Sequence, residues 1–407
     1  MLRRLLPVLF VLLLVCAGAQ AESVIKLTLS TKAPEPTQTP QPTEAISVPS
    51  LPPFEDLFSG EDEDVLPEST SQDGTRKLVL TFTGDVTLGS EEAFRSRSTS
   101  FESFDEREGD GYFFANFQEM FENDDLTVIN LEGVISDSPA GEVKNKQFRF
   151  RGSPTLLNIL KTASIEAANI SNNHMQDYGN AGYVSTMEEL EKAGIGYFGY
   201  RDSYIFEKDG LKIGFFGLVS PKITSILPEA KKEMAQMKAD GVNAIVFVFH
   251  MGTEYGKHRD ARQERYAKEV IDAGADLVIM HHPHVLQGMD IYKNRSICYS
   301  LGNFCFGGNA LVKNNGRDTE KTSEPLRTAV VQAELTFDAG GTYLGQQLTI
   351  YPAHISGTFP QSNFQPIRVY GEDAEDVMYV IQRDTKYTLN PYSDKTGSAV
   401  QDYLPAK

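Results

Sequence analysis

The stretch Gly274–Phe306, GADLVIMHHPHVLQGMDIYKNRSICYSLGNFCF, joins a strand signal to a cluster of histidines. Asp276 to Met280 is a short, mostly apolar run of the buried-strand kind, and it breaks directly into His281-His282-Pro283-His284. The proline disfavours a helix and predicts an extended His282, so that side chains two apart point to the same side. Three of the chain's seven histidines lie within these four residues, at a strand end. That is the pattern of a metal or catalytic site rather than of packing.

The same construction, an apolar strand ending in a metal-binding type of residue, recurs four times upstream. Leu78–Thr83 runs into Gly84-Asp85, Thr127–Leu131 into Glu132, Glu166–Ile170 into Asn172-Asn173-His174, and Ala244–Phe249 into His250. Each has a bland reading by itself: Asp85 or Glu132 as a turn cap, Asn173 and His174 as a helix cap, His250 as a core histidine. Jointly those readings need five coincidences, whereas ligands of open α/β sheets do gather beyond the carboxyl ends of strands.

Between these points strands alternate with helices, which predicts an α/β domain. Expected strands are Lys77–Thr83, Leu126–Leu131, Ile165–Ile170, Leu211–Leu218 and Asn243–Phe249. Expected helices are Tyr112–Asn123, Pro154–Ala163, Ala181–Ala193 closed by Gly194, Pro228–Asp240 closed by Gly241, and Arg262–Ala273 closed by Gly274. Arg327–Phe337 and Leu348–Tyr351 alternate like antiparallel strands, and from about Gly371 a short helix and a poorly ordered tail are expected.

Asp, Glu, Asn and several His form the donor set of one or two first-row divalent ions such as Mn, Fe or Zn. Two such ions roughly 3.5–4 Å apart share a bridging carboxylate, and Glu132 is the candidate bridge. His174 is the candidate proton donor to a leaving group. Cys298 and Cys305 sit in apolar sequence and read as buried thiols, so a metal here uses imidazole and carboxylate rather than thiolate.

Arg3 and Arg4, the apolar run Leu5–Ala17 and the small residues to Ala21 read as an export signal over 1–21, with an uncleaved amino-terminal anchor as the alternative. Cys16 also raises a lipoprotein reading, for which Leu14 and Val15 are too bulky. Residues 22–76, rich in Pro, Thr and Ser with the acidic run Glu61–Asp64, cannot form a core and read as a linker, spacing the domain 77–370 from a membrane or wall or serving as a plain leader. The expected location is the cell surface or the extracellular space. A formal net charge of −18 argues against nucleic acid as a partner and repels other polyanions except where local positive charge or metal overrides it. Against that background Lys144, Lys146, Arg149 and Arg151 alternate with other residues, and in a strand Arg149 and Arg151 would share a face. They read either as a solvated basic edge or as a strip for a phosphate or carboxylate substrate.

Six segments resemble the bacterial capsule-synthesis proteins of CapA/PgsA type, associated with poly-γ-glutamate, whose domain is similar to calcineurin-like metallophosphoesterases. They are Thr83–Gly89, Asn130–Gly133, Ala168–His174 with Asp177-Tyr178-Gly179, His250–Tyr255, His282–Gln287 and Tyr299–Phe304. The resemblance implies a four-layer α/β sandwich of two mixed sheets flanked by helices, with a two-metal site. Carried over, Asp85 and His284 take one ion, Asn173, His250 and His282 the other, Glu132 bridges, and His174 is the general acid. Glu254 and Tyr255 also match, as pocket-shaping residues or structural support. Thr87 stands where the superfamily usually has histidine, glutamate replaces the usual bridging aspartate, Met251 replaces a common aromatic, and the doublet leaves His281 and His282 both open as ligands. His258 and His354 match nothing and read as surface histidines. The implied partners are an anionic capsule polymer or its precursor and a membrane synthase complex, with the chain either a metal-dependent hydrolase or a non-catalytic polymer-binding and export component.

Overall fold

Alternation along the central strands decides the layering. The computed structural model describes residues 74–312 and 319–406; the expected export segment and the linker up to residue 73 lie outside the described residues. In strand Arg76–Thr87, Leu78, Leu80 and Phe82 face one way and share a core with Ile213, Val246, Val248 and Ile279 of a second sheet. Residues of the other parity face outward. Ile129 and Leu131 pack with Phe117, Phe121, Leu160 and Leu190, while Ile245, Phe247 and Phe249 pack with Leu227, Met234 and Val270. Each such buried aromatic or aliphatic side chain contributes about 1.5–3 kcal/mol.

Seven α-helices stand among the described residues: α1 Phe101–Glu108, α2 Gln118–Glu122, α3 Leu157–Thr162, α4 Gly179–Ala193, α5 Ile223–Ala239, α6 Ala261–Asp272 and α7 Gly371–Gln382. The first four contribute to the outer core of one sheet, α5 and α6 to that of the other. The fold is therefore a four-layer α/β sandwich, as the resemblance implies. The first sheet runs Ile367–Arg368, Tyr343–His354, Arg327–Phe337, Arg76–Thr87, Leu126–Leu131, Ala167–Asn169, Gly196–Phe198; the second runs Met289–Tyr292, Arg295–Cys298, Leu277–His281, Ala244–His250, Leu211–Val219, Tyr204–Lys208. Cys298 and Cys305 are buried thiols. Among the described residues no helix is long and apolar enough to cross a membrane.

Gly84 makes the close approach on which the site depends. A Cβ there would lie 2.5 Å from the Gly302 carbonyl oxygen and 2.6 Å from that of Asn303, so only glycine lets strand Asn303–Phe306 pair beside Asp85. The first strand consequently continues to Thr87, through a register shift between Phe82 and Asp85, instead of ending at Thr83.

Other expectations need correction. Tyr112–Asn123 is not one helix: only Gln118–Glu122 is α-helical, because Phe113, Phe114 and Phe117 are all drawn into the core, with Phe113 stacked 4.3 Å from Phe101. Pro154 opens a 3-10 turn ahead of α3. α5 begins a turn before Pro228, whose missing N–H would have served the carbonyl of exposed Thr224. Residues 144–149 form no strand; Phe150 makes a single antiparallel bridge to Glu91, and Arg151–Gly152 pairs with Val134–Ile135. The expected loose tail is instead tied down: α7 buries Val377 and Ile381 in the inter-sheet core, and Ala399–Val400 and Leu404–Pro405 pair with Tyr343–His354.

At the far end of the first sheet, Glu166 accepts the Thr127 N–H at 2.8 Å. Burial, reinforced by Asp124, pushes its carboxyl up to about 7, above the ordinary value of 4.5. A raised folded-state pKa means that stability is greatest below the unfolded value and falls as pH rises through about 7. Glu166→Gln keeps an acceptor for Thr127, and its melting temperature at pH 8 is expected to exceed wild type by the equivalent of about 1 kcal/mol, discounted for partial exposure. Equal melting curves at pH 5 and pH 8 for both proteins would contradict this.

Candidate metal centre

The candidate residues arrive from the carboxyl ends of strands in both sheets. Asp85 lies near the end of Arg76–Thr87, Glu132 follows Leu126–Leu131, and Asn173 and His174 follow Ala167–Asn169. His250 and His281 are paired last residues of neighbouring parallel strands, which sets them side by side. His282 is not extended: its φ is 101°, and that of His284 is 58°. Such non-glycine conformations cost of order 1–3 kcal/mol each and persist where the surroundings enforce them. Here they turn both rings inward, with centroids 5.9 Å apart.

Glu132 is at the centre of the arrangement. Its Oε1 lies 3.5 Å from His250 Nε2 and 3.8 Å from the Nε2 atoms of both His174 and His284. Those distances are too long for hydrogen bonds, and both carboxylate oxygens are buried without a hydrogen-bond partner among the described residues. Burial pushes this carboxyl well above its usual range. An uncompensated carboxylate in this position would cost several kcal/mol. Cations placed among these nitrogens and oxygens remove that cost, so the donor set fits divalent metal. Two groups of potential ligands, Glu132 with His282 and His284, and Glu132 with Asp85 and His250, each keep their ligand atoms within 4.8 Å and have Glu132 in common.

Neighbouring groups orient the rings. Asp85 Oδ2 lies 3.2 Å from His284 Nδ1, which also meets Asn303 Oδ1 at 2.8 Å. Burial works against the charge of His284, but Glu132 and Asp85 raise it to about 10. Burial opposes ionisation of Asp85 as well, yet His281 and His284 hold its carboxyl well below the ordinary value. Burial drives His250 well below its usual value and His282 to about 4, so both are neutral and able to ligate. His250 Nε2 lies 2.7 Å from Asn173 Oδ1 and 3.1 Å from His282 Nδ1, so three donor atoms face one another. His281 differs: its Nδ1 is 3.0 Å from Asp85 Oδ1, outside hydrogen-bond alignment, and it belongs to neither group.

His174 is held from behind. Its Nδ1 meets Asp177 Oδ2 at 2.7 Å, and Asp177, fully buried, also accepts the Phe150 N–H and pairs with Lys146. Lys146 further donates to the Asn173 carbonyl at 2.7 Å. The roles of Lys146, Asp177, Asn130 and Asn303 were not legible in the sequence; Asn130 Nδ2 donates to Asp85 Oδ1 at 2.9 Å. Asn130, Asp177 and Asn303 lie within segments that carry the family resemblance and Lys146 within the basic alternation, but nothing local tied them to their partners.

Arg149 and Arg151 do not form an open strip. Arg149 is engaged by Glu142 at 2.8 Å and Glu91 at 3.5 Å, and Arg151, nearly buried, by Glu92 at 3.4 Å and the Ser136 carbonyl. Thr87 Oγ1 donates to the Glu132 carbonyl at 2.8 Å, holding the backbone of the central carboxylate. Glu254 and Tyr255 are exposed at the rim, the Tyr255 ring 6.3 Å from His284. His258 is exposed beside Asp384, as expected, whereas His354 is buried, packed where Arg327 and Asp376 meet beneath α7.

The chain is 28% identical over 255 residues to the capsule biosynthesis protein CapA of Bacillus anthracis, covering 56% of this chain and 60% of that protein. It is 26% identical over 249 residues to the PGA biosynthesis protein CapA of Bacillus subtilis, covering 56% and 63%. The matched part thus spans less than two thirds of either relative's length. A putative 5'-nucleotidase from Staphylococcus aureus superposes at TM-score 0.38 and 13% identity over 78% of this chain and 61% of that one, and adds nothing to the layer order read from the sheets. The profile of the bacterial capsule synthesis protein PGA_cap matches residues 79–308, more than half of the chain and every candidate metal ligand, and the chain belongs to that family.

Proposed function

We propose that this chain is an exported, metal-dependent hydrolase of capsule synthesis, acting on an amide or phosphoester bond of an anionic polymer of poly-γ-glutamate type or of its precursor. The observation that carries the reading is Glu132, a buried carboxylate without hydrogen bonds that faces three imidazoles. Asp85 and His284 would hold one ion, Asn173, His250 and His282 another, with Glu132 between them. Divalent ions of the Mn, Fe or Zn class supply there an acidified water and neutralise charge on a tetrahedral centre. The chain's own contribution is His174: Asp177 fixes its Nδ1, which leaves Nε2 on the Glu132 side to pass a proton to the leaving group. Glu254 and Tyr255, exposed beside His282 and His284, would meet the substrate.

A second reading, a non-catalytic polymer-binding component of a membrane synthase complex, is favoured by Thr87. Where the superfamily usually has a histidine, this residue serves the Glu132 backbone. Elemental analysis of the purified protein, followed by phosphoester and γ-glutamyl substrate screens, separates the two. One to two ions per chain with turnover is the expected result. Metal without turnover would favour the binding role, and no metal after incubation with Mn, Fe or Zn would sink the metal centre.

A further inference from the structure

Arg149 and Arg151 are each matched by a neighbouring carboxylate, whereas Lys232 on α5 and Arg265 on α6 form no ion pair among the described residues. Both line a surface trough of about 750 Å³ between the two helices. Its floor is apolar, from Leu227, Pro228, Ala235 and Tyr266. The trough continues into a second compartment of about 460 Å³ that shares Lys231, Arg265 and Glu269 and adds Lys268 and Asp272, the latter paired with Lys293 at 2.6 Å. Lys231 pairs with Glu269 at 3.0 Å, and Lys268 approaches Glu264 only to 4.0 Å. Arg265 stacks on Tyr266, its guanidinium carbon 4.5 Å from the ring centroid.

Shape and charge both select the occupant. The lining residues run from Thr224 to Ala235 along α5, about 17 Å, so the trough suits an extended chain better than a compact molecule. On a protein of net charge −18, a stretch whose cations outnumber its acids is a local exception that would confine a polyanion to it. The apolar floor suits the methylene groups of a repeat that also carries carboxylates.

We propose that the α5–α6 trough holds an extended polycarboxylate chain, through Lys232, Arg265 and Lys268, on residues that take no part in the metal centre. This rests on the reading of the protein as one that handles an anionic capsule polymer.

The test is fluorescence anisotropy of labelled polyglutamate with the full chain, at low and high salt. Lys232→Glu combined with Arg265→Glu, both exposed on helices, is expected to weaken binding about tenfold or more and to flatten its salt dependence. Lys232→Gln with Arg265→Gln should weaken it less, in the same direction, and Lys161→Glu on α3 should not matter. Unchanged binding by the double reversal, in a protein that melts like wild type, overturns the trough. If Glu132→Gln alone loses binding, the polymer sits at the metal centre, and the polymer reading survives without the trough. A wild-type protein that ignores polyglutamate yet cleaves a phosphoester overturns both the trough and the polymer reading and leaves the hydrolase.

Discussion

Glu132→Gln is expected to act in opposite directions on the metal-free and the metal-loaded protein. Without metal, the native carboxylate is buried among His174, His250 and His284 with no hydrogen bond. Replacing it by a neutral amide relieves that burden and should stabilise the metal-free domain by about 1–3 kcal/mol. With Mn, Fe or Zn, wild type gains the binding free energy as stability, about 4 kcal/mol at a thousandfold excess over Kd, and the variant, lacking the group common to both ligand sets, gains little. Thermal melts with and without each metal, beside elemental analysis, read both effects. His284→Ala should lose metal as well. A Glu132→Gln protein with wild-type metal content and a wild-type metal-induced shift would remove Glu132 from the centre.

His174→Ala is expected to separate chemistry from binding. His174 belongs to neither ligand group, and its Nδ1 is committed to Asp177 at 2.7 Å. Its loss should leave metal content near wild type while turnover on a responsive substrate falls about 10²–10⁴-fold, the usual worth of a positioned proton donor. Asp177→Asn should reduce turnover less, since it disturbs the orientation of the ring but leaves the proton carrier. Unchanged turnover in His174→Ala would take His174 out of the mechanism; loss of metal would make it a ligand instead.

How far the site was legible depended on whether a signal was local. Strand ends carrying Asp85, Glu132, His250 and the histidine run are written in short segments, where period-two burial and the ligand type lie within a few residues. The behaviour of His282 was not: a rule for the residue before proline predicted an extended backbone, and the site imposes a φ of 101°. The basic alternation at 144–151 failed for a related reason. Glu91 and Glu92, far earlier in the chain, meet Arg149 and Arg151, and no local pattern records a partner that distant.

The sequence alone determined the α/β class, the family resemblance and the set of residue types at the strand ends, because backbone geometry ties those features to near neighbours. Tertiary structure alone decided that His282 lies close to Glu132 and His284 while His281 faces Asp85, that Lys146 and Asp177 stand behind His174, and that the tail completes the first sheet. Each of those outcomes depends on segments far apart in sequence meeting at one place. Gly84, admitting the backbone of Asn303 at 2.6 Å from where its Cβ would stand, shows the difference: the glycine is visible in the chain, and what it makes room for is not.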